Sequence, residues 1–240
     1  MALLTGMVIG RGIATASNGT SVAYRIVIPD KSSQNLQTLR EERDRWLGIY
    51  KRFRELASQG KLDPSVAKRA EFGTDVFNVL INNVQLGLDR YIVVQAYNGL
   101  IIGMSLYTFH DAKEGTLHLQ VIDPEELPGS PGANQLRGIG SALVSAVARA
   151  FLITGHTTMY IHPLDKKAAQ FWRSRGFVPC GTGNQLCVRS QQEIMRLRDI
   201  CDFIPDEPSQ GDSLLCGFPK EKSPVNSRVY SWYYPPSTPR

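Results

Sequence analysis

The stretch Gln135-Leu136-Arg137-Gly138-Ile139-Gly140-Ser141-Ala142-Leu143 constrains this chain more than any other. It opens directly onto an Ala- and Leu-rich run to Leu152 that reads as a helix. Two glycines one residue apart let a backbone approach a bound group with no Cβ in the way. The first amides of the helix and its dipole then point at whatever rests on the loop, which favours an anion and a phosphate most of all. Upstream, Thr116 to Ile122 reads as a strand that ends at Asp123-Pro124. A diphosphate-bearing cofactor is therefore the first expectation. A dinucleotide loop needs Gly-x-Gly-x-x-Gly in a tight turn straight after the strand. Here the third position is Leu143, and the Pro/Gly-rich segment Pro124 to Asn134 intervenes. A Walker loop needs Gly-Lys-Ser/Thr, which this stretch does not carry.

The pattern Gln-x-x-Gly-x-Gly resembles the acyl-CoA pyrophosphate loop of the GNAT acetyltransferase superfamily. A second segment strengthens the resemblance. After the helix come a short strand, Thr158 to Ile161, and a helix from Asp165 that closes with Ala168-Ala169-Gln170-Phe171-Trp172-Arg173-Ser174-Arg175-Gly176-Phe177. An alanine, an aromatic pair and a terminal Gly-Phe at this spacing look like the GNAT segment beside the thiol end of CoA. In physical terms Asp165 is a good N-cap and Gly176 a good left-handed terminator.

Chain organisation agrees with that resemblance. Ser21 to Pro29 alternates like a first strand, and Asn35 to Ser58 and Pro64 to Leu80 read as helices. Tyr91 to Tyr97 and Leu100 to Phe109 are β-rich runs joined by Asn98-Gly99, the strongest short hairpin signal. The strand from Thr116, the glycine loop and its helix follow. Then come the strand at Thr158, a helix Lys166 to Arg175, and strands at Phe177-Val178 and Gln185 to Arg189. The order β-αα-βββ-α-β-α-β(β) is the GNAT order, over about residues 21 to 190. It implies an α/β fold: a mixed, mostly antiparallel twisted sheet flanked by helices. The expected domains are 1–190, the acetyltransferase-like unit, and 191–240, a helical segment from Gln191 with a Pro/aromatic extension. A cluster such as Trp232-Tyr233-Tyr234 is costly to leave in water, so the extension is expected to pack on the domain.

Composition narrows the function classes. The chain has 240 residues, 42% hydrophobic and 20% charged, enough for one sizeable core. The longest apolar stretch, Ala142 to Thr154, is too short to span a membrane and contains Arg149. Met1-Ala2-Leu3-Leu4 lacks a basic region before it, so a cytoplasmic protein is expected. The net charge of +5 is interleaved with acids, as in Arg40-Glu41-Glu42-Arg43-Asp44-Arg45, and forms no clear nucleic-acid patch. The four cysteines, Cys180, Cys187, Cys201 and Cys216, form no Cys-x-x-Cys pair. They read as buried reduced thiols, and no metal is expected.

The resemblance implies a reaction: transfer of the acetyl group of acetyl-CoA to an amine by direct attack in a ternary complex. A catalytically silent CoA-binding sensor or interaction module is the alternative. The pyrophosphate would rest on Gln135, Leu136, Arg137, Gly138, Ile139, Gly140 and Ser141. Backbone groups of Gln120, Val121 and Ile122 would hold the pantetheine arm. The family's usual tyrosine acid is replaced by Trp172, whose indole N–H donates but is no usable acid. Trp172 either packs on the pantetheine or belongs to the core. Strand alternation predicts Thr116, His118, Gln120 and Ile122 on one face. That makes His118 the candidate base, with His110, His162, Glu114, Glu125 and Glu126 behind it. The acceptor class, whether small amine, peptide N-terminus, protein lysine or aminoacylated tRNA, stays open.

Overall fold

The computed structural model describes residues 2–15, 19–86, 91–122, 136–181 and 183–200, with the backbone alone at 69 and 118–122. Among the described residues eight strands form one sheet: β1 (Gly6–Thr15), β2 (Ser21–Pro29), β3 (Tyr91–Ala96), β4 (Ile101–Phe109), β5 (Glu114–Ile122), β6 (Thr158–Ile161), β7 (Val178–Pro179) and β8 (Leu186–Val188). Their spatial order is β1-β2-β3-β4-β5-β6-β8-β7. Every pairing is antiparallel except β5 with β6. The helices are α1 (Ser33–Ser58), α2 (Pro64–Leu86), α3 (Ile139–Ile153), α4 (Lys166–Arg173) and α5 (Gln191–Arg198). This is the mixed, mostly antiparallel sheet flanked by helices that the sequence implies.

Two helical layers sandwich the sheet. Strand residues Ile92, Val94, Ile102, Tyr107 and Leu117 pack with α3 in one cluster. Their neighbours Tyr91, Val93, Met104 and Leu106 face α1 and α2 in the other. Such alternation is what period two requires of strands buried on both sides. α1 buries Asn35, Leu39, Glu42, Trp46, Ile49 and Phe53, one face of a 3.6-residue period. Its N-cap Ser32 accepts the Asn35 amide. α2 runs to Leu86 and so exceeds the expected end at Leu80, because Ile81 and Val84 are still buried in the sheet-facing cluster.

One element differs from expectation. β1 was hidden by its glycines, which weaken any strand signal. In the sheet Gly12 stands opposite Tyr24, and a Cβ there would meet the phenol carbon Cζ at 2.6 Å. The glycine exists so that the Tyr24 ring can lie across it. α5 (Gln191–Arg198) packs against α3: Ile194 and Leu197 are buried in the α3 cluster. Ser190 caps it by accepting the Glu193 amide at 3.1 Å. The aromatic cluster at 232–234 lies outside the described residues.

Candidate functional site

β5 is the strand on which the site is built. Its register against β4 shifts between Leu106 and Tyr107, with Leu119 opposite Leu106 and Leu117 opposite Tyr107. The backbone at 118 is therefore the extra residue of a bulge. On its other side β5 pairs with β6 only from Glu114 to Leu117, where β6 ends at Ile161. The stretch 118–122 runs on past that last pair. On that side the ladder with β6 therefore ends at Leu117, while β5 continues to Ile122.

The bulge corrects one expectation. Thr116 stands opposite Thr108 and Gln120 opposite Ser105, three residues apart on β4 and hence on opposite faces. The alternation turns over at His118, so Thr116, His118, Gln120 and Ile122 do not share a face. Val121 and Ile122 keep backbone register with Met104 and Gly103. Gln135, Glu125 and Glu126 lie outside the described residues.

The glycine loop arrives at α3 as the sequence suggests. Gly138 is left-handed, φ 96°, and is the N-cap of α3. Its carbonyl accepts the Ala142 amide at 2.8 Å. Among the described residues nothing lies within 4 Å of a Cβ built at Gly138, so its positive φ rather than crowding by them selects glycine. Leu136 and Ile139 anchor the loop in the α3 core. The Arg137 amide donates to Thr15 O at 3.1 Å, tying the loop to the end of β1.

Sequence reasoning missed Arg175. It leaves the end of α4, crosses to α3, and donates Nη2 to Ser141 Oγ at 2.8 Å. Its guanidinium lies 3.5 Å above the Phe171 ring. Burial lowers its pKa, yet a guanidinium remains charged at neutral pH. Its Nε is buried and has no hydrogen-bond partner among the described residues. A cation thus stands against the first turn of α3, where the helix dipole already favours an anion. The signal in the sequence was an arginine one residue before the helix terminator Gly176 (φ 90°).

Other side chains group on the α1/α2 side of β5 and β6. Tyr160 stands opposite Thr116 and donates its hydroxyl to Glu114 Oε1 at 3.1 Å. Burial first, and then that bond to a carboxylate, raises the Tyr160 pKa. His110 Nε2 lies 2.7 Å from Thr116 Oγ1. His162 follows the end of β6 and is exposed. Trp172, 7% exposed, is a core residue, in edge contact with Phe171 and Phe177 at ring distances of 5.0 and 5.2 Å. Asp165 acts as the expected cap, accepting the Ala168 amide at 2.7 Å. Among the described residues no group of three or more His, Cys, Asp or Glu is placed to hold a metal ion. Nor is any described helix long and apolar enough to cross a membrane.

No family model matches the chain, and no curated protein matches it. Solved structures similar to it include AtaTR bound with acetyl-CoA, 22% identical over 49% of this chain and 77% of that one, with a TM-score of 0.39. The KacTA–DNA complex is 20% identical over 51% and 84%, with a TM-score of 0.38. Ard1 from Thermoplasma volcanium is 16% identical over 46% and 76%, with a TM-score of 0.37.

Proposed function

We propose that this chain is an acyl-CoA-dependent N-acyltransferase that uses acetyl-CoA. The observation that carries the reading is the α3 start: a left-handed Gly138 as the N-cap, with the Arg175 guanidinium bound to Ser141 in the first turn. Backbone amides there, with Arg175, suit a pyrophosphate. The residues from Gln135 to Ser141 form this subsite. Residues Gln120, Val121 and Ile122, on the part of β5 that outruns β6, offer main-chain groups to an extended amide-bearing arm. Acetyl-CoA supplies the activated thioester carbonyl.

The chain must supply a place for the acceptor amine and a route for its proton, because a free alkylamine has a pKa of about 10.4 and arrives protonated. His118, at the bulge, is the residue we assign as base. Trp172 supports the arm's far end from within the core. Its indole, standing where the family has a tyrosine acid, favours the second reading, a CoA-binding module without transfer.

Two measurements separate these. Titration calorimetry of CoA against the wild type and Gly138→Glu tests the subsite: the variant adds like charge where phosphates would rest. Loss of binding in a folded variant is expected, and undiminished affinity would sink the cofactor assignment. Thiol release from acetyl-CoA across a panel of amines then tests transfer. Binding without release in the presence of any amine supports the silent module.

A further inference from the structure

β7 and β8 close one edge of the sheet as a short hairpin. Val178 pairs with Cys187, Pro179 with Leu186, and the Cys180 amide donates to Gln185 O at 3.1 Å. Cys180 and Cys187 are thus diagonal neighbours on one face. Both thiols are unoxidised and buried. Arg189, two residues beyond Cys187 and therefore on the same face, donates Nε to Cys187 Sγ at 3.2 Å. The backbone amide of Arg189 is in turn held by Glu193 Oε2 at 2.7 Å, at the start of α5.

Two structural cysteines in a hairpin have no need of a cation. A guanidinium aimed at sulfur stabilises the thiolate over the thiol. The sulfur that the guanidinium faces is that of Cys187. The Cys180 thiol is pushed up to about 11 by burial and stays protonated at neutral pH. Nucleophile and resolving thiol are thereby distinguished.

We propose that Cys180 and Cys187 form a redox-active dithiol, a modification site that a hydroperoxide converts to a disulfide across β7 and β8. The Cys187 thiolate attacks the terminal oxygen of the hydroperoxide. The O–O bond breaks, leaving a sulfenic acid, while the alkoxide or hydroxide takes up the proton that the thiol gave to solvent. The Cys180 sulfur then attacks the Cys187 sulfur, the S–O bond breaks, and hydroxide departs with the Cys180 proton as water. Two thiols lose two electrons and two protons, and the hydroperoxide is reduced to an alcohol or water plus water. Access and closure both fall to β7, a two-residue edge strand whose Val178 is 50% exposed. Since Cys187 pairs with Tyr160, the bridge would fix the hairpin beside the Glu114–Tyr160 pair. The proposal does not depend on the acyl-transfer reading.

Arg175 and Arg189 flank a tryptic peptide, Gly176 to Arg189, that contains both cysteines and no internal Lys or Arg. The full chain is treated with hydrogen peroxide, blocked with N-ethylmaleimide, digested without reductant and weighed. The expected peptide is lighter by two hydrogens, unlabelled, and restored to two labels by dithiothreitol. In Cys180→Ala the same treatment should leave Cys187 as a sulfenic acid that dimedone captures. Recovery of the wild-type peptide with both cysteines maleimide-labelled would overturn the proposal. So would their oxidation to sulfinic acid without a bridge, or their linkage to the peptides bearing Cys201 or Cys216.

Discussion

At the scale of single residues, the site combines groups whose roles follow from what they touch. Ser141 and Arg175 meet across two helices, and the pair gives the α3 start a fixed positive charge in addition to its dipole. His118 occupies the bulge of β5, a place where proteins re-aim a side chain. If it takes the acceptor's proton, kcat/KM rises with pH through a histidine-like pKa. His118→Gln should then cost about 100- to 10,000-fold in rate and abolish that inflection while leaving CoA affinity in place. An unchanged pH profile in His118→Gln would return the residue to a structural role.

Asp30 is a residue of the opposite kind, a local organiser. Its Oδ1 accepts from the Ser32 amide, the Thr5 hydroxyl and Asn35 Nδ2, at 2.9, 3.0 and 2.8 Å, joining the N-terminal segment to the start of α1. The bond from the Ser32 backbone, first among the causes, holds its pKa below the usual carboxylate value. A depressed pKa contributes stability above the unfolded value, which is lost as pH falls through the folded one. Asp30→Ala should lower stability by on the order of 1 kcal/mol at neutral pH, a figure already reduced for its exposure. Urea melts should show the gap between the two proteins closing below about pH 4.

At the scale of elements, two helical glycines give predictions of opposite sign. Alanine in place of glycine in an exposed helix interior is worth about 0.5–1 kcal/mol. Gly48 of α1 is exposed, with nothing within 4 Å of a built Cβ, so Gly48→Ala should raise the melting temperature. Gly73 of α2 lies against the Trp46 ring of α1, into which a Cβ would run. Trp46 is fully buried and stacks edge-on with Phe77 at 5.1 Å, so it cannot yield. Gly73→Ala should therefore destabilise by about 1–3 kcal/mol despite better helix propensity. Denaturant melts of both variants check the pair of signs. The same helix α1 carries Glu42, fully buried, which bonds Arg45 at 2.8 Å and accepts the Ile101 amide at 3.0 Å. That contact fixes where α1 sits on β4, ahead of the strand that carries the site.

At the scale of the molecule, both helical layers and both halves of the sheet meet at β5. α3 is covered on its outer side by α5, so the glycine-loop helix is packed from two directions. Leu197 is fully buried in that contact. Leu197→Ala should cost about 2–5 kcal/mol, the range for a core leucine left as a cavity. A loss under about 0.5 kcal/mol in thermal or denaturant melts would mean that α5 adds nothing to the fold, as for a surface site.

The sequence by itself determined whatever is encoded locally. Period-3.6 and period-2 patterns located the helices and most strands, Asn98-Gly99 made its hairpin, and Asp165, Gly138 and Gly176 took the backbone roles that their chemistry dictates. Only the tertiary structure decided the rest, because it depends on residues far apart in the chain. β1 became a strand because Tyr24 fills the space beside Gly12. The bulge at His118 emerged from the register between β4 and β5, and it overturned a face assignment that strict alternation had made. Arg175 reached Ser141, and Cys187 reached Cys180 and Arg189, through the packing of α4 and the pairing of β7 with β8. No one-dimensional periodicity specifies those distances.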